Sequence, residues 1–379
     1  MGTKRQVKGM AKLLKPCRYK KRRRFTAYSL LTLYKMNSFK LNCLFFFCFA
    51  VFTTLFGKIV LHLDINKRVY NHVPGECGVI PNLPGMLSLT TSTGGRLYMT
   101  TNSKDGVTDN THIFTYYPDN RTAREIQIQG APSKWRIKPG QMSVMAHSDN
   151  PNIFVLNRLT GNVEVLETND QDDIWKYRKS LKNEEFQGIS DLSAYKSNSF
   201  FYVKSGIFGH NSLLNLLEGT FYIPSGVIGF AIGKHSNQIA SVSSPTGIVY
   251  DHFRGSIFVT SYARSSIYML KLTVDNEIAK YTEFQLGCSP TSIWNDFDGS
   301  FLVTCQPIRF RYLLHALDVT SSAPSMVLRV VVPVTDGKGL TVTQLYSNDG
   351  ATISQANVTV RAGRSLLISN GQKILNCHM

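Results

Sequence analysis

Two patterns of hydrophobic positions divide the chain. Near the amino terminus, Leu41 to Gly57 carries no formal charge and is apolar on every side. Phe45, Phe46, Phe47, Phe49, Phe52 and Phe56 fall in it, and the run continues through Ile59, Val60 and Leu61 to Leu63. A segment apolar all round is no soluble surface helix, and about 20 apolar residues cross a bilayer core. The pattern predicts a membrane anchor over 41–63, with Lys58 and His62 near one end, where a long side chain reaches the interface. Phe56-Gly57-Lys58 makes a poor cleavage site, which argues against a removed secretory signal.

Beyond residue 77 no helical period is sustained. Short β-rich runs alternate with Gly and Asp turns: 95–101 with 112–117, 152–157 with 162–166, 255–261 with 266–272, 299–304 with 312–317, and 364–369 with 373–376. Each pair predicts an inner strand followed by its hairpin partner. Repeated over the available length, such units suit an all-β, six-bladed β-propeller; a sandwich or barrel built from the same hairpins is the alternative. The expected organisation is a basic arm over 1–40, the anchor, a linker over 64–76 and the propeller over 77–379.

Charge changes this picture in one place. Thirteen of the 42 Lys and Arg residues fall in the first 40 positions, where there is no acid. That leaves 29 basic against 25 acidic residues beyond them, so the net charge of +17 belongs mostly to the arm. The body is nearly neutral and shows no basic face with stacking aromatics, which excludes nucleic acid as an expected partner. Basic residues ahead of the span hold the amino terminus on the cytoplasmic side and place the body in the lumen or exterior, at the endoplasmic reticulum membrane or the plasma membrane. The cluster Lys20 to Arg24 would draw membrane lipid of negative charge at about 1 kcal/mol per residue. Two glycosylation triplets, Asn120-Arg-Thr122 and Asn357-Val-Thr359, fall on the lumenal side.

Four cysteines are lumenal. Cys77 opens the folded part and Cys377 stands two residues from its end. In an oxidising compartment a bond between them would tie the ends of a ring together. Cys288 and Cys305 either pair or remain buried thiols, and no cysteine spacing fits a zinc site.

At the carboxyl end the residues become specific. Val342-Thr-Gln-Leu-Tyr346, Asn348-Asp-Gly350, Leu366-Leu-Ile368 and Cys377, with Ser325 to Val330 and Asp296 to Pro307, resemble the serum paraoxonase/arylesterase family. The resemblance implies a six-bladed propeller, a Cys77–Cys377 bond and an unpaired Cys305. It also implies a calcium-dependent lactonase and arylesterase, and there the sequence departs from the family. The first-blade glutamate–aspartate pair falls on Leu87 and Ser88. Ser190 replaces an asparagine, while Asp191 keeps its aspartate. Thr246 replaces a further asparagine, and Pro290 and Thr291 replace an aspartate–asparagine pair. The two catalytic histidine positions carry Gly140 and Arg158, and the family's Cys-His-Pro is Cys305-Gln306-Pro307. Calcium takes about 6–8 oxygen ligands, so neither metal nor catalytic residue is expected; calcium as cofactor belongs only to the alternative of an altered lactonase.

Other chemistry is faint. The histidines are scattered, Asp170, Asp172 and Asp173 suit a solvated turn, and Asp251-His252 are strand neighbours that point to opposite faces. The layout of arm, span and propeller resembles a membrane-anchored, paraoxonase-like branch. Its members assist assembly and surface delivery of degenerin/epithelial-type sodium channels. That resemblance implies a non-enzymatic chaperone or accessory subunit with channel subunits as partners.

Overall fold

The computed structural model describes residues 27–81, 83, 85–92, 95–101, 112–118, 121–145, 151–168, 173–206, 218–273, 277–296, 298–333 and 339–379. The described residues fall into two compact units, one ending at Gly57 and the other beginning at Lys58.

Helix α1, Ala27–His62, contains the apolar run; Asn42–His62 is 21 residues long with a mean hydropathy of 2.2, enough to cross a bilayer. Phe45, Phe46, Phe47, Phe52 and Phe56 are exposed along it.

The second unit is a six-bladed β-propeller. Its innermost strands are Met86–Thr91, Pro139–Val144, Ile189–Lys196, Pro245–Asp251, Ser289–Asn295 and Val358–Ala362, each heading one sheet. Five blades draw their strands from one continuous stretch. The sixth takes Val358–Ala362, Ser365–Ser369 and Ile374–His378 from the carboxyl end, and its fourth strand, Cys77–Val79, from the start of the propeller. Cys77 lies opposite Cys377 in that antiparallel pair, and a disulfide joins them. Blades pack through aromatic contacts: Phe154 on Phe200 at 5.3 Å, Phe201 on Tyr250 at 5.5 Å and Phe258 on Phe301 at 4.4 Å.

Two expectations are corrected. The hairpins recognised from pattern are the second and third strands of their blades, not the innermost ones. Middle strands are covered on both faces and read as continuous apolar runs, whereas innermost strands face the tunnel with Ser, Thr and Gly. The run 312–317 is not a strand: Arg309–Leu317 is a helix, α2, and Ser325–Val331 pairs with Ser300–Gln306 in its place.

Candidate functional site

The six innermost strands enclose a central cavity of about 650 Å³. Seven positions were expected to have lost the family's calcium ligands or, at Asp191, to keep one. Leu87, Ser88, Ser190, Asp191, Thr246 and Thr291 line that cavity, while Pro290 is buried behind it.

Most of these side chains are already engaged in joining blades. Ser88 Oγ accepts from Met142 N at 3.1 Å, Asp191 Oδ2 accepts from Ile248 N at 2.9 Å, and Thr246 Oγ1 donates to the Pro290 carbonyl at 2.9 Å. Thr291 Oγ1 lies 3.2 Å from the Thr304 carbonyl and 3.4 Å from that of Ala356. Ser143 Oγ, accepting from Ala194 N at 2.9 Å, and Ser369 Oγ, accepting from Met86 N at 2.7 Å, complete a ring with one such stitch at every blade junction. Innermost strands of neighbouring blades share no ladder, so these bonds satisfy backbone groups that would otherwise be orphaned.

That donor set does not fit calcium. It contains one carboxylate, and both its oxygens accept backbone N–H bonds, Oδ1 from Leu192 and Oδ2 from Ile248, each at 2.9 Å. Ser190 donates to the Val203 carbonyl at 3.1 Å, and Leu87 and Pro290 carry no side-chain oxygen. Calcium wants several oxygen donors with compensating negative charge.

Burial pushes the Asp191 carboxyl up to about 7, against the two N–H bonds that pull it down. The folded chain therefore holds this proton more tightly than the unfolded chain. Its contribution to stability is greatest below about pH 4, is lost as pH rises to 7, and is level above. Asp191→Asn is expected to remove that slope, about 1.4 kcal/mol per pH unit at its steepest, in denaturation midpoints measured across this range. An unchanged slope in the variant would assign the pH dependence elsewhere.

At the histidine positions the arrangement is as altered. Arg158 follows the second strand of blade 2, and its side chain lies across Gly140, where an added Cβ would stand 2.7 Å from Arg158 Nε. Both face the start of the innermost strands. Gln306 is buried and donates to the Ala356 carbonyl at 2.8 Å, a structural bond rather than a catalytic one.

Other candidates fall apart as sites. Asp251 is paired with Arg254, which reaches the carbonyls of Gly299 at 2.9 Å and Val332 at 3.2 Å in the next blade; His252 stacks edge-on against Tyr250 instead. Asp173 accepts from the Tyr117 hydroxyl at 3.0 Å between Arg96 and Arg124, while Asp170 and Asp172 lie outside the described residues. Among the described residues no three His, Cys, Asp or Glu side chains converge as a metal site. Cys305 is not unpaired: it is bonded to Cys288, which the first strand of blade 5 brings beside it at a Cα separation of 5.8 Å. Asn357 lies in the tunnel wall rather than on an outer loop; Asn120 and the Lys20 to Arg24 cluster lie outside the described residues.

One cluster gave no sequence signal. At the end of the cavity where the innermost strands begin, Arg309 of α2 is buried and donates to the carbonyls of His62 at 2.6 Å, Tyr262 at 3.1 Å and Ala263 at 3.0 Å, and to Ser265 Oγ at 2.5 Å. Asp64 Oδ2 lies 3.5 Å from Arg309 Nη1 and the Phe310 N–H bonds the Leu63 carbonyl at 2.9 Å. Residues 62–64 are thereby fastened to the propeller. Their partners lie about 250 positions away in sequence, beyond any local pattern.

Comparison with known proteins agrees with this architecture. Residues 48–379 match the family model described as Arylesterase. Mechanosensory abnormality protein 6 of Caenorhabditis elegans is 25% identical over 356 residues, covering 85% of this chain and 91% of that protein. Serum paraoxonase/lactonase 3 of Homo sapiens is 22% identical over 266 residues, 69% of this chain and 74% of the other. A luciferin-regenerating enzyme, at 10% identity and a TM-score of 0.51 over 80% of this chain and 95% of that one, shares the fold.

Proposed function

The chain belongs to the arylesterase family, and on that premise we propose that it is a membrane-anchored, paraoxonase-like propeller that acts by binding a channel rather than by hydrolysing lactones. Its role is that of a chaperone or accessory subunit for folding, assembly and surface delivery of degenerin/epithelial-type sodium channel subunits, with the amino terminus cytoplasmic and the propeller lumenal. The observation that carries this reading is the conversion of family ligand positions into inter-blade stitches at Ser88, Asp191, Thr246 and Thr291. Without a metal there is no Lewis acid at the tunnel to polarise a carbonyl or activate water, and Gly140 and Arg158 supply no imidazole base. The likeness to a mechanosensory protein along 85% of the chain supports the channel-associated role.

Cross-linking of the full chain in native membranes, followed by identification of what co-purifies, tests the partner. Subunits of a degenerin/epithelial-type channel are expected; their absence from the cross-linked material would overturn the role. The alternative, a calcium-dependent lactonase with altered ligands, makes a different prediction. We expect millimolar calcium to leave the melting temperature of the full chain unchanged, whereas a rise of several degrees, the mark of a ligand bound to the folded state, would favour the enzyme.

A further inference from the structure

The cavity is not featureless once the calcium positions are set aside. Its volume of about 650 Å³ lies within the range of small-molecule sites, about 300–1,000 Å³. Arg158 lines it, held over Gly140, and has no ion-pair partner among the described residues. Gly140 is part of the device: any side chain there would strike the Arg158 Nε, Cγ and Cδ atoms. Gln141, the next residue along the strand, also faces the cavity, and its buried Oε1 has no hydrogen-bond partner among the described residues. Turning that amide over would present its N–H donors to the same space.

From this arrangement we propose that the tunnel binds a small organic monocarboxylate, its carboxylate taken by the guanidinium fork of Arg158 and its apolar part lying against the tunnel wall, where Leu87 and Trp294 are exposed to it. An arginine presents two parallel N–H donors that match the two oxygens of a carboxylate. Arg158 stays partly open to solvent at this end of the cavity, and among the described residues no carboxylate pairs with it, so its guanidinium is accessible to an anion. A ligand carrying one negative charge restores balance. A phosphate would carry in surplus charge, in a cavity whose wall already holds the Glu218 carboxylate and the partly protonated Asp191. Glu218 accepts from the Ser225 hydroxyl and Arg309 is bonded to Asp64 and four neighbours, so neither takes up the charge of Arg158. This site stands apart from the channel-associated reading; it needs no partner protein and no metal.

The test uses the full chain in lipid nanodiscs with excess EDTA, which removes any carboxylate binding through calcium. Phenylacetate is the probe, with benzyl alcohol and inorganic phosphate as comparisons. Millimolar phenylacetate is expected to raise the melting temperature by a few degrees, benzyl alcohol and phosphate to leave it unchanged, and Arg158→Gln to weaken the phenylacetate response at least about tenfold. Arg158→Lys, which keeps the charge and loses the fork, is expected to fall between them, and it serves where the glutamine variant does not fold. Absence of a wild-type response, an equal response to phosphate, or a response retained in both variants would each overturn the proposal.

Discussion

Replacing Cys77 by serine is expected to lower the melting temperature of the propeller by about 10 °C and to leave the protein retained and degraded in the secretory pathway. The bond to Cys377 closes a loop with a sequence separation of 300. In the chain-entropy model that contributes about 5–6 kcal/mol, and at roughly 2 °C per kcal/mol for a domain of this size the shift follows. The comparison that isolates ring closure is Cys288→Ser. Its bond spans a separation of 17, about 3 kcal/mol in the same model. The order of the two effects is the prediction: the outer bond matters more because it fastens the last blade to the first strand. That strand is three residues long, Cys77–Val79, and three ladder pairs hold it poorly without the covalent link. Normal surface delivery of Cys77→Ser, or a smaller shift than Cys288→Ser shows, would place ring closure in the blade packing instead.

How much of this was legible in sequence follows from where each residue sits. Runs such as Asn152–Asn157 and Ser256–Ser261 become middle strands, covered on both faces, so their apolar character announces them. The innermost strands carry tunnel-facing polar residues, among them Ser88, Thr90, Gln141 and Ser143, and do not read as hydrophobic elements. The part of helix α2 from Tyr312 to Leu317 reads as a strand because it is short and apolar, and short apolar runs do not reveal their period.

The candidate site divides in the same way. Loss of oxygen donors at Leu87 and Pro290 is visible by comparison with the family, but the new work of Ser88, Thr246 and Thr291 is not. A hydroxyl's partner on a neighbouring blade lies 44 to 66 positions away, and nothing in the spacing specifies it. Sequence leaves Cys288 and Cys305 open between a bond and two buried thiols, and the unpaired Cys305 that the family resemblance implies is not what forms, because the fold brings Cys288 to it.

The second large effect is expected at Arg309. Arg309→Met would leave the buried Asp64 carboxylate with the partly exposed Lys67 as its remaining cation, and the carbonyls of His62, Tyr262 and Ala263 without this donor. Removing one partner of a buried ion pair costs about 3–5 kcal/mol when the other charge is left uncompensated. With Lys67 still beside Asp64, a loss at the lower end, about 3 kcal/mol, is expected, much of it from the carbonyls left without a donor. Arg309→Lys keeps the charge but cannot reach four acceptors at once, and an intermediate loss is expected. Combining Arg309→Met with Asp64→Asn removes the carboxylate charge that lost its buried partner and should restore part of the stability, a coupling that distinguishes the ion pair from simple packing. Lys67 also touches Asp64, at 2.8 Å, but its side chain is 44% exposed, so Lys67→Met should cost under about 1 kcal/mol. Denaturation midpoints of the full chain in detergent, with limited proteolysis of the 58–67 segment, read both quantities. If Arg309→Met cost no more than Lys67→Met, residues 62–64 would be held by their backbone contacts alone, and the buried guanidinium would not be what fastens them to the propeller.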